Sequence, residues 1–222
     1  MNFHWFSRKG NQCQNNRDYG GLLRKQTYDL ALIVDASQKG DNGANLAKLI
    51  VKSLVRVAQG IDDIDQEKLL GVLRQIYQSI RFEYLLETAS YAIVILDSNG
   101  SGLAVVCGDC RVGLVSENQK NWFTPVHSLA NYQGELFDRK HALMPERSIL
   151  TRRWYAKRFD CPDIVAFHAG NQSICIATDG YWLEHEWMGC QHNNLADDAS
   201  CLIIGASSAL ISDGDNFQLK FF

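Results

Sequence analysis

Leu30 to Ala44 reads LALIVDASQKGDNGA: an apolar run from Leu30 to Val34, then Asp35, then a polar turn with Gly40 and Gly43 that releases the chain into a helix. The run has the character of a buried strand, and glycine in the polar stretch after it marks a turn. A carboxylate at the mouth of such a strand is costly unless something pairs with it. The expected partner is a metal ion, with three later acidic positions converging on it.

Outward from this stretch, the 222-residue chain carries 46% hydrophobic and 10% aromatic residues and only three prolines. That suffices for one sizeable core, so residues 1–222 are expected to form a single domain with no disordered stretch. A net charge of -3 provides no field to draw a nucleic-acid backbone or an anionic membrane. The amino terminus, MNFHWFSRKG, lacks the apolar region of a signal peptide, and no apolar run approaches a membrane span. A cytoplasmic setting is expected. Seven cysteines, most of them inside apolar runs such as Ile174-Cys175-Ile176, fit buried thiols in a reducing compartment. Cys107 and Cys110 have C-x-x-C spacing, but no second pair stands at a matching distance, which argues against a zinc knuckle. The tryptophans fit core and sheet faces better than a binding stripe.

In chain order, Phe3 to Phe6 reads as a strand, Ser7 to Asp18 as a loop or strand edge, and Leu22 to Leu32 as a strand-like return. Ala47, Ile50, Leu54 and Val57 recur at helical spacing, with Lys48, Lys52 and Arg56 opposite, which predicts an amphipathic helix over Ala44 to Gln59. A second helix starts at the acidic cluster Asp62, Asp63 and Asp65 and buries Leu69, Leu73, Ile76 and Ile80. Strand texture then dominates: SYAIVILD, a turn at Asn99-Gly100, and LAVVCGDCRVGLVS. Phe123 to Phe159 reads as a long excursion with one short helix near Glu146 to Trp154. Ser173 to Thr178 is a strand, Tyr181 to Met188 a helix, Ser200 to Gly205 a strand, and Phe217 to Phe222 a closing edge strand. Helices and strands are segregated, so the class is α+β with antiparallel sheets.

Three strand ends share one design: an apolar run into Asp35, another into Asp179-Gly180, and Asp197 just before a third. Aspartates at one sheet edge repel one another unless cations sit between them. All-oxygen ligands favour hard ions such as Mg²⁺ or Mn²⁺, and two such ions suit attack on phosphorus. Any single one of these aspartates also fits a turn or cap; the case rests on the set.

In this order the residues resemble the metal-dependent Ser/Thr protein phosphatases of type 2C, the PPM family. GNQCQNNRD (Gly10 to Asp18) is similar to the family's G-x-x-R-x-N-N-E-D. VDASQKG (Val34 to Gly40) resembles V-D-G-M-G-G, and TASYAIVIL (Thr88 to Leu96) the G-T-T strand. GDCR (Gly108 to Arg111) is similar to G-D-S-R, and ERSILTRR (Glu146 to Arg153) to R-N-x-L-T-R. TDGYW (Thr178 to Trp182) resembles S-D-G-L-W, and DDAS (Asp197 to Ser200) resembles D-N-x-T.

The resemblance implies a four-layer αββα sandwich, two antiparallel sheets flanked by helix pairs, with a metal centre at one end. By position it makes Asp35 the bridge between two Mn²⁺ or Mg²⁺ ions, Asp179 and Asp197 ligands of the first, and the carbonyl of Ala36 a ligand of the second. Asp18 orients a water. The implied activity is hydrolysis of phosphoserine or phosphothreonine in proteins, opposing a Ser/Thr kinase; the alternative is a pseudophosphatase acting as a binding module.

Three departures stand out. Cys13 takes the place of the phosphate-binding arginine, and Arg17 that of the acid or glutamine beside Asp18. Arg17 either replaces the lost cation in substrate binding or points to solvent. A third ion would need Asp109 and an acid four residues past Asp179, where the chain has Leu183, with Glu184 one place out; that site is expected to be weak or absent. Asp198 competes with Asp197 as the ligand. His127 fits a structural residue better than an acid or base.

Overall fold

Which neighbours a strand residue meets is fixed by alternation, and here alternation sorts the core into layers. The computed structural model describes residues 2–37, 42–116, 119–134, 137–205 and 210–221; the turn residue Gly40 lies outside them. The strands are β1 (Asn2–Arg8), β2 (Asp18–Arg24), β3 (Tyr28–Ala36), β4 (Thr88–Asp97), β5 (Ser101–Cys107), β6 (Arg111–Ser116) and β7 (Gln119–Trp122). Short strands β8 (Trp154–Tyr155) and β9 (Arg158–Phe159) precede β10 (Asp163–His168), β11 (Ser173–Ala177), β12 (Ala199–Gly205), β13 (Leu210–Asp213) and β14 (Phe217–Phe221).

One sheet has the order β13-β1-β12-β11-β6-β7; the other has β10-β5-β4-β3-β2-β14, with β8 and β9 attached at β4. On β3, Leu30, Leu32 and Val34 face helices α1 (Gly43–Gln59) and α2 (Gln66–Ile80), whereas Ala31 and Ile33 face the other sheet. β4 and β11 alternate in the same way, Ile174 and Ile176 inward and Cys175 and Ala177 outward. Strands buried on both faces read as unbroken apolar runs, which is why these were legible. Both helices bury the stripes that their spacing predicts, Val57 only in part, and Asp65 caps α2 by accepting from Lys68 N at 2.8 Å, a contact worth about 1 kcal/mol.

The α+β sandwich is thus as expected in class, with four refinements. The sheets are mixed, because β13 pairs with β1 and β14 with β2 in parallel. β1 occupies the place beside β12, so a chain that reverses after β12 meets β1 running the same way. The outer layer over the first sheet is thin, formed by α3 (Arg139–Leu143), a 3-10 turn at Pro145–Ser148 and a π-helical segment, Gly180–Trp187. The helix expected near Glu146 to Trp154 is therefore replaced by that turn and β8. LAVVCGDCRVGLVS is also broken: β5 lies in one sheet and β6 in the other, and the chain crosses at Gly108-Asp109-Cys110.

Candidate metal centre

The antiparallel register of β2 and β3 sets Asp18 and Asp35 directly opposite each other. Both continue the rows of side chains that face the inter-sheet core, behind Leu22 on β2 and Ala31 and Ile33 on β3. Where that core ends, the same rows turn polar. Thr178 Oγ1 donates to Asp18 Oδ2 at 3.0 Å, and Ser90 Oγ to Asp109 Oδ1 at 2.6 Å.

Three further acids arrive from the other sheet and the crossing turn. Asp179 follows Thr178 at the head of the π-helical segment, Asp197 precedes β12, and Asp109 lies between β5 and β6. Asp35, Ala36, Asp109, Asp179 and Asp197 line a cavity of about 210 Å³, with Ser37, Ser90, Ser148 and Leu150 among its other walls. Close approach makes two glycines necessary here. Gly108 has φ +100°, and a Cβ on it would stand 2.1 Å from Ser90 Oγ; a Cβ on Gly180 would stand 2.1 Å from the Asp198 carbonyl oxygen. The crossing turn is braced by His127, whose Nδ1 accepts from Gly108 N at 3.0 Å. Its Nε2 is then the protonated nitrogen and donates to Asp163 at 3.1 Å, which Arg152 grips with both terminal nitrogens. His127 is structural.

Burial, and after it the neighbouring carboxylates, push Asp35, Asp18 and Asp179 well above the usual carboxylate range; Asp109 is raised by burial as well. Oδ1 of Asp18 is buried and has no hydrogen-bond partner among the described residues. Converging carboxylates, a lined cavity and an orphaned acceptor together fit hard divalent cations.

No protein-family model matches the sequence, and no curated protein is similar to it in sequence. Solved structures are similar in shape. A PPM Ser-Thr phosphatase from Mycobacterium smegmatis, MsPP, in complex with cacodylate, superposes with a TM-score of 0.76 at 18% identity, over 93% of this chain and 99% of that one. Stp1 from Staphylococcus aureus gives 0.75 at 17%, over 93% and 95%. PstP from Mycobacterium tuberculosis gives 0.72 at 15%, over 93% and 98%. The fold is that of the PPM Ser/Thr phosphatases.

On this PPM fold the two adjacent acids divide their work. Asp198 accepts from the backbone N–H groups of Gly10 at 2.9 Å and Arg17 at 2.8 Å, so it docks the opening motif. Asp197 lines the cavity, and its Oδ1 lies 3.4 Å from the Cys13 thiol. Burial together with the charges of Asp198 and Asp197 pushes the Cys13 pKa far up, which keeps the thiol protonated. Arg17 does not extend freely into solvent: it is half-buried, and its Nη1 donates to the carbonyl of Ser37, a cavity residue, at 3.0 Å.

At the place of a third ion, Leu183 is buried and Glu184 turns away, accepting from Ala196 N at 2.8 Å. Arg147 stands there instead, 3.7 Å from Asp179. Burial still holds both Asp109 and Asp179 above the ordinary carboxylate range; the Arg147 charge offsets part of that rise and opposes a further cation. The ERSILTRR resemblance pointed at this arginine without giving it a role. Cys107 and Cys110 face different layers, one toward the helices and one between the sheets, so they do not form a chelating pair.

Proposed function

We propose that this chain, acting as one unit over residues 1–222, hydrolyses phosphoserine or phosphothreonine in proteins with two Mn²⁺ or Mg²⁺ ions, and so opposes a Ser/Thr kinase in the cytoplasm. The observation that carries this reading is the convergence of Asp35, Asp109, Asp179 and Asp197 on one cavity, with Asp18 opposite Asp35 across the strand pair and its Oδ1 left unpartnered among the described residues. Asp35 would bridge the ions, Asp179 and Asp197 would complete one, and the Ala36 carbonyl the other; Asp109 is a further oxygen donor on the same wall. Bound there, such ions lower the pKa of water and offset the charge that develops on phosphoryl oxygens. Asp18, fixed through Oδ2 by Thr178, keeps Oδ1 free to orient a water. Arg17, tethered at the rim, is the residue we assign to the substrate phosphate.

A second reading, a pseudophosphatase that binds rather than cleaves, is favoured by Cys13, whose buried thiol offers no bidentate fork. Hydrolysis of an aryl phosphate with Mn²⁺, beside Asp35→Asn, separates the two. The phosphatase reading expects metal-dependent turnover that falls by more than about 10²-fold in the variant. No metal-dependent turnover, or equal turnover in Asp35→Asn, would sink it. Phosphopeptides compared with small phosphate esters then test the protein substrate.

A further inference from the structure

Arg111 opens β6 at 1% exposure, one of the largest fully buried side chains of the protein. Four rings surround its guanidinium: Trp182 at 5.0 Å, Trp187 at 5.4 Å, Trp122 at 5.7 Å and Phe137 at 5.9 Å. Ring faces favour a cation, but they accept no hydrogen bonds along the guanidinium plane. Nε and Nη1 have no partner among the described residues, and Nη2 has only the Trp122 carbonyl at 3.5 Å. A buried donor left unpaired is costly, and a buried charge without a counter-charge more so.

Arg111 lines a cavity of about 320 Å³ on the outer side of the six-stranded sheet, and none of that cavity's walls belongs to the metal centre. Lys120 and Arg139 add two more cations to it, and Trp122, Phe137 and Trp187 add apolar surface. Among the described residues the acids at hand are already engaged. Asp138 accepts from Lys140 N and His141 N at the start of α3, and Glu186 pairs with Lys120. Burial pulls the Arg111 pKa down to about 9, so the group is still charged at neutral pH.

We propose that this cavity is a second anion site, which takes an oxyanion carried on a small aromatic body, such as an aryl phosphonate, phosphate or sulfonate. Arg111 supplies the buried charge and the in-plane donors, Arg139 a cation at the mouth beside the Lys120–Glu186 pair, and the tryptophan rings the walls. A link to the metal centre is built in, since Trp182 of the cage donates from Nε1 to the Asp109 carbonyl at 2.9 Å.

The test is titration of the full chain with phenylphosphonate, and separately with inorganic phosphate, in the presence of chelator, followed by calorimetry and tryptophan fluorescence. Chelation silences the metal centre, so the result does not depend on whether the protein is a phosphatase. Saturable phenylphosphonate binding with a fluorescence change is expected, tighter than for inorganic phosphate. Arg139→Glu, on the surface, should weaken it at least tenfold, and Arg111→Met should abolish it. If Arg111→Met does not fold, Arg139→Glu and Lys120→Met carry the test. Absence of saturation in the millimolar range, or affinity unchanged in all these variants, would overturn the site. Binding that appears only when metal is present would assign the anion to the metal centre instead. Equal affinity for the two probes would remove the aromatic body from it.

Discussion

At Asp197 and Asp198 one peptide step separates two tasks: one carboxylate lines the cavity and the other ties down the backbone of Gly10 and Arg17. Asp197→Ala should leave the metal-free Tm near that of the parent and abolish the rise in Tm on adding Mn²⁺. Asp198→Ala should cost the metal-free protein about 1–3 kcal/mol, since two hydrogen bonds to a charged acceptor are lost. Denaturation with and without metal distinguishes them; the reverse pattern would exchange their roles. The resemblance assigned the ligand to Asp197 and left Asp198 as its competitor, because both are aspartates in one turn and only the direction of each side chain differs. Among the described residues the Arg17 guanidinium has one hydrogen bond, to the Ser37 carbonyl. Arg17→Ala should raise KM for a phosphopeptide by about tenfold with kcat little changed. An unchanged KM would leave Arg17 the task of holding the Ser37 turn.

Among the elements, the crossing between β5 and β6 decides the site. It moves the chain from one sheet to the other, carries Asp109, and depends on Gly108 at φ +100° against Ser90. Gly108→Ala should destabilise the fold by about 1–3 kcal/mol from backbone strain alone, read by urea denaturation, and should lower metal-dependent turnover by displacing Asp109. If stability and turnover both stayed at the parental level, the turn would be shown to tolerate a side chain. The crossing was not legible because Gly108 and Asp109 interrupt the apolar run only briefly, and nothing in so short a break says that the next strand joins the other sheet. Helices α1 and α2 were legible for the opposite reason: their polar faces meet solvent, so the period of 3.6 is written in the residues.

For the whole molecule, the raised carboxyl pKa values of Asp18, Asp35 and Asp179 govern how stability varies with pH. In the metal-free chain the folded state holds protons that the unfolded state has released once pH exceeds the ordinary carboxylate range. Stability is therefore greatest at low pH on this account and falls as pH rises through the folded-state values. Urea denaturation in chelator from about pH 5 to about pH 8 should show that decline, flattened in Asp35→Asn. Mn²⁺ should offset the decline at the upper end, because its ligands must be deprotonated. Equal slopes in the parent and Asp35→Asn would remove the acidic cluster as the cause. Among the described residues no helix is long and apolar enough to cross a membrane.

By itself the sequence determined the buried strands, the two long helices and the apolar-run-into-aspartate ends, because local texture records whether a segment is covered on one face or two. Tertiary structure alone decided that Asp18 faces Asp35 across a strand pair, that Asp197 rather than Asp198 lines the cavity, and that Arg147 stands where a third ion would need an acid. It also left Arg111 buried among rings with two donors unpaired. Each of these depends on residues far apart in the chain meeting at the end of a sandwich or over its outer sheet, and a one-dimensional pattern carries no record of such meetings.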